Sequence, residues 1–395
     1  MTLNELSLAG KRALIRVDFN VPLNDAREVT DDTRIRAALP TIQHVLEAGG
    51  SVVLMSHLGR PKGTDASLSL QHIAGRVSEL LERPVKFAAD CVGEAALEVT
   101  ADLQPGEVAL LENLRFHAEE KAGDEFFAGQ LAENGDVYIN DAFGTAHREH
   151  ASTAVIAKFF PEDKAFGMLL AGEIEALQKV LAHPEKPLTA IIGGAKVSSK
   201  LGIIEHLIGR VDRLIVGGGM AYTFVQAQGG AIGNSLVEPE MHAQALAILE
   251  KAVAAGTELL LPHDTLAADA FAADAQTQVV ATNAIPDGWM GLDIGPETTK
   301  RFVDAVLSSK TILWNGPMGV FEMPAFAGGT NAVAQALAHA TGDGAFTLIG
   351  GGDSVAAINQ AGLADAVSYV STGGGAMLEY LEGKVLPGVA AMQEA

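Results

Sequence analysis

Asp18 and Asn20 follow the apolar run Ala13-Leu14-Ile15-Arg16-Val17, and His57 and Arg60 follow Val52-Val53-Leu54-Met55. Arg115 comes after Val108-Ala109-Leu110-Leu111, and the stretch from Asp141 to Arg148 comes after Val137-Tyr138-Ile139. Short apolar, β-branched runs of this kind read as buried strands. The polar residues therefore fall at strand carboxyl ends, where an open parallel sheet binds its ligands. Arg34, after Asp31-Asp32-Thr33 at the start of an amphipathic stretch, can reach the same edge. The planar fork of arginine pairs bidentately with carboxylate or phosphate. Arg34, Arg60, Arg115 and Arg148 together suit a small ligand with two or three negative charges. Taken singly, each arginine is more simply a surface salt bridge, and His57 a structural hydrogen-bonder. Asp18 and Asn20 also favour turns. Four arginines on one edge are what point to an anion site.

The second half of the chain carries glycines instead: Gly193-Gly194-Ala195-Lys196, Gly217-Gly218-Gly219, Gly350-Gly351-Gly352-Asp353-Ser354 and Gly373-Gly374-Gly375. Glycine allows the backbone to come close to a phosphate, and a following helix N-terminus offers it N–H groups. One such run is no more than the end of a strand. Four, one with a lysine and one with an aspartate, suggest a nucleotide. Neither GxxxxGK[ST] nor GxGxxG occurs, which speaks against a Walker nucleotidase and a Rossmann dehydrogenase.

The elements that must hold these residues alternate strand and helix, so parallel pairing with helices on both faces is expected. Ile35, Ala38, Leu39, Ile42, Val45 and Leu46 are spaced for a helix ending at Gly49-Gly50, with a kink or late start predicted at Pro40. The pattern repeats with strands at 189–192, 214–216, 259–261, 312–314 and 347–349. At 395 residues two domains are expected. Gly167 to Leu181 reads as a connecting helix, with the junction at His183, Pro184 and Pro187. Hydrophobic residues at 48% and charged ones at 19% describe an ordinary globular chain without an 18-residue apolar run. The N-terminus lacks the pattern of a signal peptide. The single cysteine, Cys91, fits a reducing cytoplasm and is expected buried. A formal charge of −22 argues against a broad grip on nucleic acid and confines anion binding to local clusters.

Arg16-Val17-Asp18-Phe19-Asn20-Val21-Pro22, Ser56-His57-Leu58-Gly59-Arg60-Pro61, Glu112-Asn113-Leu114-Arg115-Phe116 and Asp141 to Arg148 (DAFGTAHR) resemble signatures of the phosphoglycerate kinases. So do GGAKVSSK (Gly193 to Lys200), GWMGLDIGPET (Gly288 to Thr298), WNGPMGVFE (Trp314 to Glu322), GGGDS (Gly350 to Ser354) and STGGGA (Ser371 to Ala376). The resemblance runs in order from near residue 10 to near 388. It implies an α/β fold of two similar-sized three-layer lobes, each a mainly parallel sheet flanked by helices and joined by a hinge helix. Residues 1–166 with about 379–395 would form the 3-phosphoglycerate lobe, 167–187 the connection and 188–378 the nucleotide lobe.

Carried over position by position, Asp18, Phe19, Asn20, Arg34, His57, Leu58, Gly59, Arg60, Arg115 and Arg148 would hold 3-phosphoglycerate. Lys196, Gly217, Gly291, Asn315, Glu322, Gly350, Gly351, Gly352, Asp353 and Ser354 would surround ADP or ATP, with Asp353 directed to Mg²⁺. Arg34, Lys196, Lys200, Gly373 and Gly374 would stabilise the transferring phosphoryl group. The resemblance implies reversible in-line transfer from 1,3-bisphosphoglycerate to ADP on closure of the lobes, in a cytoplasmic monomer without membrane or nucleic-acid partners. Two other readings stay open at this level. One is a two-lobed kinase for a different carboxylate or acyl phosphate, and the other a non-catalytic nucleotide-binding or scaffolding protein, since fold alone does not set function.

Overall fold

The computed structural model describes residues 2–393, so Met1, Glu394 and Ala395 of the predicted first domain lie outside the described residues. The chain divides into two compact units. One runs to Ile174 and resumes at Val385; the other is Glu175–Lys384. The division falls within the helix Met168–Leu181. The chain leaves the second unit at Lys384, later than the predicted 379, because residue 379 lies inside the helix Gly375–Leu381, which packs on the helix Leu201–Leu207 of that unit.

The first unit contains six parallel strands: β1 (Arg12–Arg16), β2 (Ser51–Met55), β3 (Val85–Phe87), β4 (Val108–Leu110), β5 (Val137–Asn140) and β6 (Lys164–Phe166). Their spatial order is β3-β4-β2-β1-β5-β6. In register, Leu14 lies between Val53 of β2 and Tyr138 of β5. Successive residues of β1 and β2 face opposite cores. Ile15 and Leu54 join Ile35, Ile42, Val45 and Ile73 on one side, while Leu14 and Val53 join Phe127, Leu131 and Ile156 on the other. Burial on both faces is why these strands are continuously apolar in sequence. Each fully buried Val, Leu or Ile contributes about 1.5–3 kcal/mol relative to exposure.

The helix Thr33–Glu47 passes through Pro40 without the predicted late start; its buried face is Ile35, Ala38, Thr41, Ile42 and Val45. Burial of that stripe outweighs the missing N–H of one proline. Cys91 is fully buried, as expected.

The second unit has strands β7 (Leu188–Ile192), β8 (Arg213–Val216), β9 (Ala231–Ile232), β10 (Glu258–Leu260), β11 (Asp264–Ala268), β12 (Thr277–Ala281), β13 (Ala284–Ile285), β14 (Met290–Ile294), β15 (Thr311–Asn315), β16 (Phe346–Ile349) and β17 (Tyr369–Val370). Its main sheet is parallel, in the order β10-β8-β7-β15-β16-β17. A three-stranded antiparallel sheet, β12-β11-β14, and the small pair β13-β9 accompany it. These smaller sheets were not expected from the strand–helix alternation. β12 has no buried residue, so it lacks the apolar run by which the others were read.

Both parallel sheets reverse their winding order at one point. In the first unit it lies between β1 and β5, and in the second between β7 and β15. The loops beyond those pairs carry Asp18 to Asn20 with Asp141 to Arg148 in one unit, and Gly193 to Lys196 with Gly316 to Gly319 in the other. A crevice opens where neighbouring connections leave in opposite directions.

Candidate active site

In the first unit the strand ends are cross-linked by hydrogen bonds between residues far apart in sequence. Arg34 Nη1 donates to Asp18 Oδ2 and to the Asn20 carbonyl, each at 3.1 Å. Asn20 Oδ1 accepts the Gly59 N–H at 2.8 Å, and the Gly59 carbonyl accepts Arg115 Nη1 at 2.7 Å. Phe19 N–H is held by Ser56 Oγ at 2.8 Å. Leu58 is bracketed by Asn113, which accepts its N–H and donates to its carbonyl. Arg60 and Arg148 are exposed, and the Arg34 side chain is partly so.

Beneath this layer Arg16 is fully buried. Its Nε donates to Ser152 Oγ at 2.9 Å, and Ser152 Oγ donates to the buried Glu120 Oε1 at 2.6 Å. Arg16 Nη2 lies 3.2 Å from His57 Nδ1. A guanidinium can only donate, so His57 Nδ1 accepts and the ring proton resides on Nε2. Burial first, then the fields of Arg16, Arg115, Arg34 and His150, keep the His57 pKa well below its ordinary value. His57 is thus a neutral donor. His150 is lowered to about 4 by burial and by Arg115, Arg16, Arg148 and His147. Arg115 is itself lowered by burial and by Arg16, with Glu120 and Asp18 opposing and Arg60 adding.

The fields of the four predicted arginines reach neighbouring buried groups: Arg34 and Arg115 act on His57, Arg60 on Arg115, and Arg148 and Arg115 on His150. Around His57, Arg115 and His150 the guanidinium charge of Arg16, Arg34, Arg60, Arg115 and Arg148 outweighs the carboxylates of Asp18 and Glu120. Such an excess of partly buried positive charge favours a small polyanion.

The second unit builds its site from backbone. At the switch point Gly193 N–H donates to the Asn315 carbonyl at 2.9 Å, and a Cβ on Gly193 would sit 2.1 Å from the Pro317 carbonyl oxygen. No side chain fits between these two loops. Gly291 is equally constrained: a Cβ there would meet the Tyr222 hydroxyl at 2.0 Å. Gly217 closes the end of β8 by donating to the Ile192 carbonyl at 3.0 Å.

A cavity of about 460 Å³ opens beside these glycines. Its walls are mainly apolar, with Leu236, Phe271, Met290 and Met318, and Glu322 and Asp353 are its acidic members. Phe271 is 61% exposed and Leu236 48%, an unusual openness for such side chains. Flat apolar walls with a few polar groups suit an aromatic ring bearing a polar tail.

Asn315, fully buried at the end of β15, accepts from Lys200 Nζ and donates from Nδ2 to the Gly350 carbonyl at 2.9 Å. Ser354 Oγ accepts the Gly316 N–H at 2.5 Å. The Gly350–Ser354 turn is thereby fixed to the end of β15 as the helix Gly352–Gln360 starts. Its first turn carries the exposed Asp353. Burial lowers the Lys200 ammonium pKa, against the fields of Asp353 and Glu382. Lys196 is exposed. Gly373 already gives its N–H to Ser371 Oγ at 3.1 Å, and Gly374, with φ +47°, precedes the helix Gly375–Leu381.

Sequence reasoning passed over Arg16, Glu120, Ser152 and Asn113 as site components, and the wall residues Tyr222, Leu236 and Phe271. Arg16 carried a signal, a charge within an apolar strand. Asn113 stood in the signature run Glu112 to Phe116 without being singled out, and the remaining residues carried no local signal.

A family model described as phosphoglycerate kinase matches residues 3–384. The chain is 55% identical over 394 residues to a cytosolic phosphoglycerate kinase of Triticum aestivum, covering 100% of this chain and 98% of that one. It is 55% identical over 395 residues to a phosphoglycerate kinase of Chloroherpeton thalassium, with 100% and 99% covered. Among solved structures, phosphoglycerate kinase from Coxiella burnetii superposes with a TM-score of 0.92 at 41% identity, covering 100% and 98% of the two chains. That from Pyrococcus horikoshii superposes at 0.83 and 32% identity, with the same coverage.

Proposed function

The chain belongs to the phosphoglycerate kinase family, and on that premise we propose how its residues divide the work of moving a phosphoryl group between a carboxyl group and a nucleotide. The excess of guanidinium charge around His57 carries the proposal. Arg34, Arg60, Arg115 and Arg148, with Asp18, Asn20 and the Nε2–H of His57, hold 3-phosphoglycerate. Phe19, Leu58 and Gly59 shape its backbone wall. The cavity lined by Gly291, Leu236 and Phe271 takes the base of ADP or ATP. Gly217 and Asn315 set the strand ends beside it, and Glu322 accepts hydrogen bonds from the sugar. The Gly350–Ser354 turn offers its N–H groups to the phosphates.

An exposed carboxylate in the first turn of a helix fits Mg²⁺, which is held by one or two carboxylates and by substrate phosphates. Asp353 is that ligand. When bound, Mg²⁺ supplies charge neutralisation on the nucleotide phosphates.

Transfer forms a bond from phosphorus to an ADP β-phosphate oxygen and breaks the bond to the acyl oxygen, leaving a carboxylate. No proton moves, so no general base is required. The protein positions the reactants and stabilises charge on the equatorial oxygens. Arg34, Lys196, Lys200 and the backbone at Gly373 and Gly374 do this. We further propose that the two units close on each other for transfer, excluding water from the acyl phosphate. Unchanged X-ray scattering on addition of both substrates would count against closure. The protein is proposed to act as a cytoplasmic monomer; among the described residues no helix is long and apolar enough to cross a membrane.

The deciding assay is ATP formation from ADP and enzymatically generated 1,3-bisphosphoglycerate. Turnover is expected with Mg²⁺ and loss of nearly all of it with chelator. Full activity in chelator would remove Asp353 from its role.

A further inference from the structure

Among the buried carboxylates of the second unit, Glu238 is the one whose partners lie in the lysine turn. It is 7% exposed. Its Oε2 accepts the Ser198 N–H at 3.1 Å and its Oε1 accepts the Ser198 hydroxyl at 2.5 Å. Burial works against its ionisation. The hydrogen bonds of Ser198, the Val197 backbone and the field of Lys196 outweigh it and hold the carboxyl below its ordinary pKa. A carboxylate that gathers backbone donors in this way fixes a turn more tightly than a neutral acceptor would.

The turn it fixes is the one between the two lysines. Lys200 N–H closes it on the Val197 carbonyl at 2.9 Å, and Ser199 Oγ donates to the Lys196 carbonyl at 2.8 Å. Glu238 in turn is anchored through its own N–H, given to the buried Thr223 Oγ1 at 3.1 Å. It also ends a short strap. Asn234 and Leu236 line the cavity, and Ser235 Oγ accepts the Gly291 N–H at 2.9 Å. The strap thus touches the cavity with one part and the lysine turn with another.

We infer that Glu238 is a positioning residue for the phosphoryl transfer: its carboxylate sets the Val197-Ser198 backbone, and thereby Lys196, and links that setting to the cavity wall at Leu236. The inference rests on the role given above to Lys196. Glu238 touches neither reactant, so its removal acts on turnover more than on nucleotide binding. A Gln in its place keeps the volume but turns an amide NH₂ toward one of the donors.

The test is steady-state kinetics of the full chain with 3-phosphoglycerate and MgATP, on Glu238→Gln, Lys196→Ala and the double variant. Glu238→Gln is expected to lower kcat about tenfold while the KM for MgATP changes less than about threefold. In the Lys196→Ala background the same change is expected to cost less than about twofold, since the group it positions is gone. An unchanged kcat, a loss mainly in KM, or a full tenfold loss persisting without Lys196 would each overturn the inference. Undiminished turnover in Lys196→Ala would instead overturn the role of the lysine and the inference with it. If Glu238→Gln fails to fold, Ser198→Ala removes one donor and leaves the carboxylate in place. It is then expected to lower kcat about threefold, again only when Lys196 is present, and an unaltered kcat there overturns the inference equally.

Discussion

On the roles proposed above, the switch point of the first unit and that of the second answer the same demand, an anion at a strand edge, with opposite materials. The first uses long cationic side chains, several of them exposed, resting on a buried layer of Arg16, His57, Ser152 and Glu120. The second uses backbone brought so close at Gly193 and Gly316 that no Cβ can be inserted. A side-chain site is built on top of a fold, whereas a backbone site is part of the fold. The two should therefore respond differently to mutation, one losing turnover and the other losing stability.

The largest expected effect is on the first unit. Arg34→Ala should lower kcat/KM about a hundredfold, close to 3 kcal/mol of lost charge stabilisation. Its melting temperature should stay within about 2 °C, because the side chain is 42% exposed and its ion pair with Asp18 is worth little to stability. A variant that melts well below the parent would break the contrast. Gly193→Ala tests the other side. Its Cβ would collide with carbonyl oxygens, and a stability loss of about 2 kcal/mol in denaturant titration is expected. An alanine variant as stable as the parent would show that the two loops have room to part.

Phe271→Ala sharpens the comparison within the second unit. The ring is mostly exposed and so costs little stability when removed. Loss of about 1 kcal/mol of stacking should raise the nucleotide KM about fivefold with kcat nearly unchanged. An unaltered KM would take Phe271 out of the binding wall.

The smallest effect is in pH. His150 is held at about 4 rather than at 6.5. Below 6.5 the unfolded chain takes up a proton that the folded chain refuses until about 4, so stability falls as pH drops through that window. His57, also depressed, acts in the same direction. His150→Gln should flatten the decline by about 1 kcal/mol, discounted for water at the ring edge. An identical pH profile of stability in variant and parent would contradict this.

Much of the architecture was legible because burial on both sheet faces leaves an apolar run that glycine or a polar residue ends abruptly. Leu14 and Ile15 serve opposite cores, so neither position tolerates polarity. The helix through Pro40 and the sheet β12-β11-β14 were misread or missed for the converse reason. In the first, the tertiary packing of Ile35, Ile42 and Val45 overrode a local helix-breaker; in the second, β12, with no buried residue, left too weak a pattern.

What the sequence determined by itself was the order of the buried strands of the two main sheets and the types of residue at their ends, since both follow from local propensity and from which positions must avoid water. Its arginine set and glycine set were visible on those terms, and family membership agrees with them. Only the tertiary structure decided which donor meets which acceptor. Arg16 reaches Ser152, Asn20 reaches Gly59, and Glu238 reaches Ser198, pairs separated by 136, 39 and 40 positions along the chain. Hydrogen bonds of that kind depend on strand register and loop course set by the packed core as a whole, and no local pattern encodes them.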